Sequence, residues 1–194
     1  MTHDQKFALI TGATQGIGYE LAKRFAQDQY HLIMVARSQE DLERRAHELG
    51  QQYGITVVPI AKDLFKREGP FELYDEVKAQ GIQVDVLVNN AGQGQYGEFV
   101  NTDIHRELDI IQHNVAAYTV LTKCFLKEMV VRNDGKILNV SSIAGELPGP
   151  WQAVYHGTRA YVTSLYGSHP CRKQGYGSHH HAAGTRPHQH GLLQ

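Results

Sequence analysis

The sequence predicts an α/β fold, a doubly wound parallel sheet between two layers of helices, three layers in all and lacking its last strands. Three observations carry this. Short apolar runs of strand length alternate with stretches of helical period from Phe7 to about Leu165. The first run ends in a glycine turn that opens directly into a helix, Thr11-Gly12-x-x-x-Gly16-x-Gly18. Beyond Leu165 neither period survives, so the fifth strand is left at an uncovered edge. Strands that alternate with helices imply right-handed crossovers and a parallel sheet covered on both faces.

The elements follow in order. Phe7 to Thr11 reads as the first strand, and Ile17, Leu21 and Phe25 then recur at helical spacing with Ala22 and Ala26 beside them. His31 to Ala36 is a buried-strand run, after which Ser38, with Asp41 three residues on, caps a charged helix that reaches about Tyr53. Thr56 to Ile60 is the third strand. Pro70 opens a helix that carries Phe71, Tyr74 and Val77 to Gln80. Val84 to Val88 is the fourth strand and ends at Asn89-Asn90-Ala91-Gly92. One long helical stretch runs from about Thr102 to Arg132 and stops at Asn133-Asp134-Gly135. Lys136 to Val140 is the fifth strand, ends at Ser141-Ser142, and is followed by a helix bearing Tyr155. Ligands of such sheets bind at the carboxyl ends of the strands.

Composition narrows the function. The chain has 194 residues, 41% hydrophobic and 20% charged, which suits one domain. Lys+Arg 19 against Asp+Glu 20 leaves a net charge of -1, with no basic field for nucleic acid or an anionic membrane. The longest apolar runs, such as Leu32 to Ala36, are strand-sized and far below the roughly 18 residues of a membrane span; the expectation is a soluble, cytoplasmic protein. Cys124 and Cys171 show no CxxC spacing, so neither a disulfide framework nor a thiolate zinc site is indicated.

The glycine turn has a physical purpose. Gly12 permits the tight turn, Gly16 lets the backbone approach a pyrophosphate, and Gly18 lets the helix pack closely with its N-terminus aimed at the anion. With Asn89-Asn90-Ala91-Gly92, Ser141-Ser142 and Tyr155 in the same order, the chain resembles the short-chain dehydrogenase/reductase family from residue 5 to about 165. That resemblance implies a Rossmann-type sheet, a nicotinamide dinucleotide, hydride transfer to or from a small carbonyl or alcohol, and a homodimer or tetramer. It assigns Gly12, Thr14, Gln15, Gly16, Ile17 and Gly18 to the pyrophosphate turn, Asp63 and Leu64 to the adenine, and Asn90, Ala91 and Gly92 to the turn flanking the adenosine ribose. Arg37 stands at the end of the second strand, where NAD-preferring members carry an acidic residue. A guanidinium there binds a 2′-phosphate bidentately and favours NADP(H) over NAD(H), while Gln15 adds no second basic group and leaves dual use open.

The resemblance also assigns the acid-base machinery to Asn114, Ser142, Tyr155 and the residue four positions after the tyrosine. Spacing of four puts Tyr155 and Arg159 on one helical face, both also beside the cofactor. A cation there favours the phenolate, so the hydroxyl can give or take the proton of a carbonyl oxygen. Ser142 would hold that oxygen as charge develops, and Asn114 would distort its helical ladder and hold a water. The family's lysine is replaced by Arg159, a larger planar fork that cannot present a compact ammonium; the expectation is weak or absent turnover. The alternative is a non-catalytic nucleotide-binding remnant. Gly157 is also out of keeping with a helix interior.

Residues 166–194 contain no Asp, Glu, Val, Ile, Met or Phe. One of the readings that their degenerate codons permit one nucleotide downstream is TEAIRAENKATGVTITLLAPGPTNTDFF, the helix end, strand and Pro-Gly-Pro turn that the resemblance implies at this point. The segment is therefore read as the product of one inserted or two deleted nucleotides between the codons of Leu165 and Tyr166. A metal site at His179, His180, His181, His188 and His190 with Cys171 is the competing reading. Adjacent histidines in a glycine-rich tail converge poorly on one ion, and no metal is expected.

Overall fold

The computed structural model describes residues 6–167. Five strands, β1 (Phe7–Thr11), β2 (His31–Ala36), β3 (Val57–Ala61), β4 (Val84–Asn89) and β5 (Lys136–Asn139), form one parallel sheet in the order β3-β2-β1-β4-β5. Its helices are α1 (Gly16–Gln27), α2 (Gln39–Tyr53), α3 (Gly69–Ala79), α4 (Ile104–Ile111), α5 (Ala117–Arg132) and α6 (Ala153–Gly167). The chain leaves β1 toward β2 on one side and returns to β4 on the other, so the carboxyl ends of β1 and β4 flank the crevice where such sheets bind ligands.

Alternation along the strands builds a core on each face. Ala8 and Ile10 join Leu32, Met34, Val86 and Val88 on one side, whereas Leu9 joins Ile33, Val35, Leu87 and the α5 residues Leu121 and Phe125 on the other. Ser38 caps α2 as its sequence suggests, its Oγ accepting from Asp41 N at 3.2 Å. The third strand starts one residue later than expected, because Thr56 N is taken by His31 Nδ1 at 2.8 Å.

The long helical stretch is two helices joined by a π-turn over Gln112–Ala116, with Asn114 inside it. This is the distorted ladder expected around that residue. A π-turn takes the backbone out of the i→i−4 pattern locally, and it persists where the surroundings over-determine it. Among the described residues no helix is long and apolar enough to cross a membrane, and no group of three or more His, Cys, Asp or Glu could hold a metal. The expectations for the tail concern residues 166–194, of which 168–194, with Cys171 and the clustered histidines, lie outside the described residues.

Gly157 sits in α6 without constraint, since a Cβ added there would meet nothing within 4 Å. Gly157→Ala should therefore stabilise the chain by about 0.5–1 kcal/mol through helix propensity and unfolded-state entropy. A urea unfolding midpoint raised at constant slope is the expected result.

Candidate nucleotide and catalytic site

The glycine turn is held open by its neighbours. Gly12 takes φ 66°, a left-handed conformation that favours glycine, and its N donates to Val35 O at 2.8 Å. Asn90 clamps the turn to the end of β4: its Nδ2 donates to Thr11 O at 2.9 Å and to Gly12 O at 3.3 Å. Thr11 Oγ1 in turn accepts from Asn90 N at 2.9 Å and Ala91 N at 3.0 Å. A Cβ on Gly18 would overlap Gly12 O and Asn90 Nδ2, so α1 is pressed against the turn as closely as a glycine allows.

At Gly16 the reverse holds. A Cβ there would meet nothing within 4 Å, and Gln15 and Ile17 beside it are exposed, with Thr14 half-buried. The N-termini of α2 and α4 are capped by Ser38 and Asp103, but Gln15 makes no side-chain cap bond to α1. The first N–H groups of α1 thus face open space at the crevice, an arrangement that fits a pyrophosphate.

Beyond β2, Arg37 is exposed with its guanidinium 5.2 Å from the centroid of the Phe65 ring. Arg106 from α4 lies 5.1 Å from the same centroid, and His113 stacks on Phe65 at 4.1 Å and 6°. Asp63 shapes this loop, its Oδ1 accepting from Phe65 N at 3.1 Å, while Leu64 is buried beneath. Two guanidiniums thus flank one ring beyond the end of β2. Phe65, Arg106 and His113 escaped the sequence reading because a loop, a helix and a π-turn bring them together without any local spacing.

His113 is 7% exposed, and burial pushes its imidazole down to about 4; a Leu64 backbone hydrogen bond opposes the shift and the charges of Arg37 and Arg159 add to it. The unfolded chain takes this proton near pH 6.5, the folded chain only near 4. Stability is accordingly whole above pH 6.5 and falls as the pH drops through this window, losing about 3 kcal/mol by pH 4. His113→Phe, which keeps a stacked ring, should flatten the melting temperature between pH 6.5 and 4; an unchanged slope would count against burial as the cause.

The catalytic candidates lie across the crevice. Tyr155 of α6 is half-buried, and a Cβ on Gly94 would come within 3.1 Å of its ring. Ser142 Oγ accepts from Ala144 N at 3.2 Å and caps the 3-10 turn Ile143–Gly145, which leaves its hydroxyl proton to donate. Asn114 is fully buried, with Nδ2 donating to Gln93 O at 2.8 Å and Thr158 Oγ1 at 3.0 Å and Oδ1 accepting from Gln93 N at 3.0 Å. The side chain thereby ties the loop after β4 to α6. Gln93 and Thr158 were not foreseen, although a threonine three residues after the tyrosine is the polar residue that helical spacing would nominate.

Arg159 lies against Tyr155 on the same helix. It is 5% exposed, its Cζ lies 5.1 Å from the Tyr155 ring centroid, and Nη1 donates to Val140 O at 3.2 Å and Tyr118 OH at 3.4 Å. Nε is buried without a hydrogen-bond partner. Burial opposes the charge, but Tyr118 and Tyr155 outweigh it and hold the guanidinium above its ordinary value, so it stays charged. Burial in turn pushes the Tyr118 phenol up, partly offset by Arg159. A groove of about 780 Å³ opens between residues 144–150 and Ala153, His156, Gly157 and Ala160. Helical spacing puts that groove on the face of α6 turned away from Tyr155 and Arg159.

The chain matches the family model for short chain dehydrogenase over residues 6–171. It is 36% identical over 163 residues to a very-long-chain 3-oxoacyl-CoA reductase of Laccaria bicolor, covering 82% of this chain and 48% of that protein. It is 34% identical over 159 residues to a probable NADP-dependent dehydrogenase of Haemophilus influenzae, covering 81% of this chain and 62% of that one. A short-chain dehydrogenase from Sphingobium yanoikuyae in complex with NADPH superposes with TM-score 0.79 at 30% identity, over 84% of this chain and 63% of that chain. The chain spans about half the length of the first of these curated relatives.

Proposed function

The chain belongs to the short-chain dehydrogenase family, and from that premise we propose that it transfers a hydride between NADP(H) and a small carbonyl or alcohol, with slow turnover. The observation that carries this reading is the gathering of an open glycine cradle, Ser142 and Tyr155 around the carboxyl ends of β1, β4 and β5. The turn from Gly12 to Gly18 would hold the pyrophosphate by backbone N–H groups, Asp63 and Leu64 would border the adenine, and the turn Asn90-Ala91-Gly92, assigned beside the adenosine ribose, would carry the site on from the end of β4 toward β5. A dinucleotide bound there supplies or accepts the hydride. Tyr155 gives or takes the proton at the carbonyl oxygen, and Ser142 donates a hydrogen bond to that oxygen as charge develops. The π-turn around Asn114 offers backbone groups to a water that links Tyr155 to solvent, since the Asn114 amide is itself engaged by Gln93 and Thr158.

Arg37 supports NADP(H) over NAD(H), as does the phosphate-attracting rim it forms with Arg106 around Phe65. Arg37→Asp should weaken NADP+ binding about tenfold by removing a charge-assisted contact to the 2′-phosphate, with NAD+ binding unchanged or improved. Calorimetric titration of both cofactors checks this, and equal affinities for the two in the unaltered chain would refute the preference. Ile104, Leu108 and Ile111 are exposed along α4 and support pairing of two copies through this helix. A second reading, a non-catalytic nucleotide-binding remnant, is favoured by one observation, the buried Arg159 guanidinium being shared among Val140 O, Tyr118 OH and Tyr155 rather than given to Tyr155 alone.

A further inference from the structure

Two glycines of the crevice differ in what lies over them. Above Gly16 there is open space, whereas a Cβ on Gly92 would collide with Arg159 Nη2 and crowd Arg159 Cζ at 2.8 Å. The face of Gly92 that its missing side chain would leave free is thus covered by the guanidinium. That guanidinium is lodged firmly: it is buried, donates to Val140 O and Tyr118 OH, and lies against the Tyr155 ring. Val140 directly follows β5 and Gly92 follows β4, so the plug stands at the ends of the two strands on the far side of the switch point from Arg37. A ligand that crosses from the β2 side over the glycine turn toward β4 meets open cradle first and Arg159 second.

We infer that Arg159 stoppers the far half of the site, so that this chain recognises the 2′-phosphoadenosine diphosphate portion of a dinucleotide and gains no affinity from the remaining nucleoside. The inference rests on the reading of the crevice as an NADP(H) site. The preferred ligand class is then an adenosine carrying a 2′-phosphate and a 5′-diphosphate, with or without a second nucleoside. Moving the guanidinium aside leaves two acceptors, Val140 O and Tyr118 OH, without their charged donor, so the far half opens only at a cost that offsets what the second nucleoside would gain, and turnover in the unaltered chain is slow. A lysine at this position has no planar fork to span Val140, Tyr118 and Gly92 together.

The test compares two ligands on the unaltered chain by isothermal titration calorimetry, 2′-phosphoadenosine 5′-diphosphate and NADP+. The dissociation constants should agree within about twofold. In Arg159→Lys, NADP+ should bind at least tenfold tighter while the smaller ligand is unchanged. NADP+ binding tenfold or more tighter than the smaller ligand in the unaltered chain overturns the stopper and leaves the proposed function standing, as does an unaltered NADP+ affinity in a folded Arg159→Lys chain. Failure of both ligands to bind overturns the NADP(H) reading and the stopper with it.

Discussion

Arg159→Lys is expected to raise kcat for NADPH-dependent reduction of a small carbonyl about a hundredfold, within the range that a well-placed general acid contributes. The charge is the same before and after, so the gain must come from where it sits. In the present chain the guanidinium spans Val140 O, Tyr118 OH and the Tyr155 ring, with its centre 5.1 Å from the ring centroid. The guanidinium divides its bonding among Val140 O, Tyr118 OH and Tyr155, so only part of it serves the phenolate oxygen. A lysine ammonium has three rotatable donors on a flexible stem and is free to approach the hydroxyl. The expected signature is a rise in kcat together with tighter NADP+ binding. Steady-state kinetics of NADPH oxidation at 340 nm on both chains is the check, and a variant that folds but gains less than a fewfold in kcat would return Arg159 to a packing role.

Gly18→Ala is expected to cost about 3 kcal/mol of stability, at the upper end for overpacking, and to abolish nucleotide binding. The added Cβ would overlap Gly12 O, a backbone atom, as well as Asn90 Nδ2. Gly12 cannot retreat without breaking its bond to Val35 O, and Asn90 cannot retreat without releasing Thr11 O. Relief must therefore come from α1 lifting off the turn, which also moves the N–H groups that would meet a pyrophosphate. Gly157→Ala is the matched control, with the same methyl added where space is free and the opposite sign expected. Urea denaturation of the two variants alongside the unaltered chain measures the difference; similar shifts for both would show that close packing at Gly18 does not constrain the turn.

Much of this architecture is legible in the residues. Buried parallel strands read as apolar runs, so Leu32 to Ala36 and Val84 to Val88 announce themselves, and the glycine turn fixes where the first crossover begins. The π-turn around Asn114 is not announced by helical period; only the family resemblance points to a distortion there. What is not legible is contact across the crevice. The stack of His113 on Phe65, shared with Arg37 and Arg106, joins elements with no common period. Arg159 shows the limit most clearly: its identity marks the departure from a lysine, but its bond to Tyr118, 41 residues away, and its cover over Gly92 depend on how α6 meets α5 and the end of β4.

The central claim is that Tyr155 and this crevice carry out hydride transfer with NADP(H). Its most direct test is a long incubation of concentrated protein with NADPH bearing deuterium at the transferable C4 position and a panel of small ketones and aldehydes, with the alcohol products read by mass spectrometry. Deuterium should enter the carbinol carbon of at least one product, more in Arg159→Lys, and should be absent when Tyr155 is replaced by Phe. Deuterium in no product from either the unaltered chain or a folded Arg159→Lys chain, or undiminished transfer in Tyr155→Phe, would contradict the account.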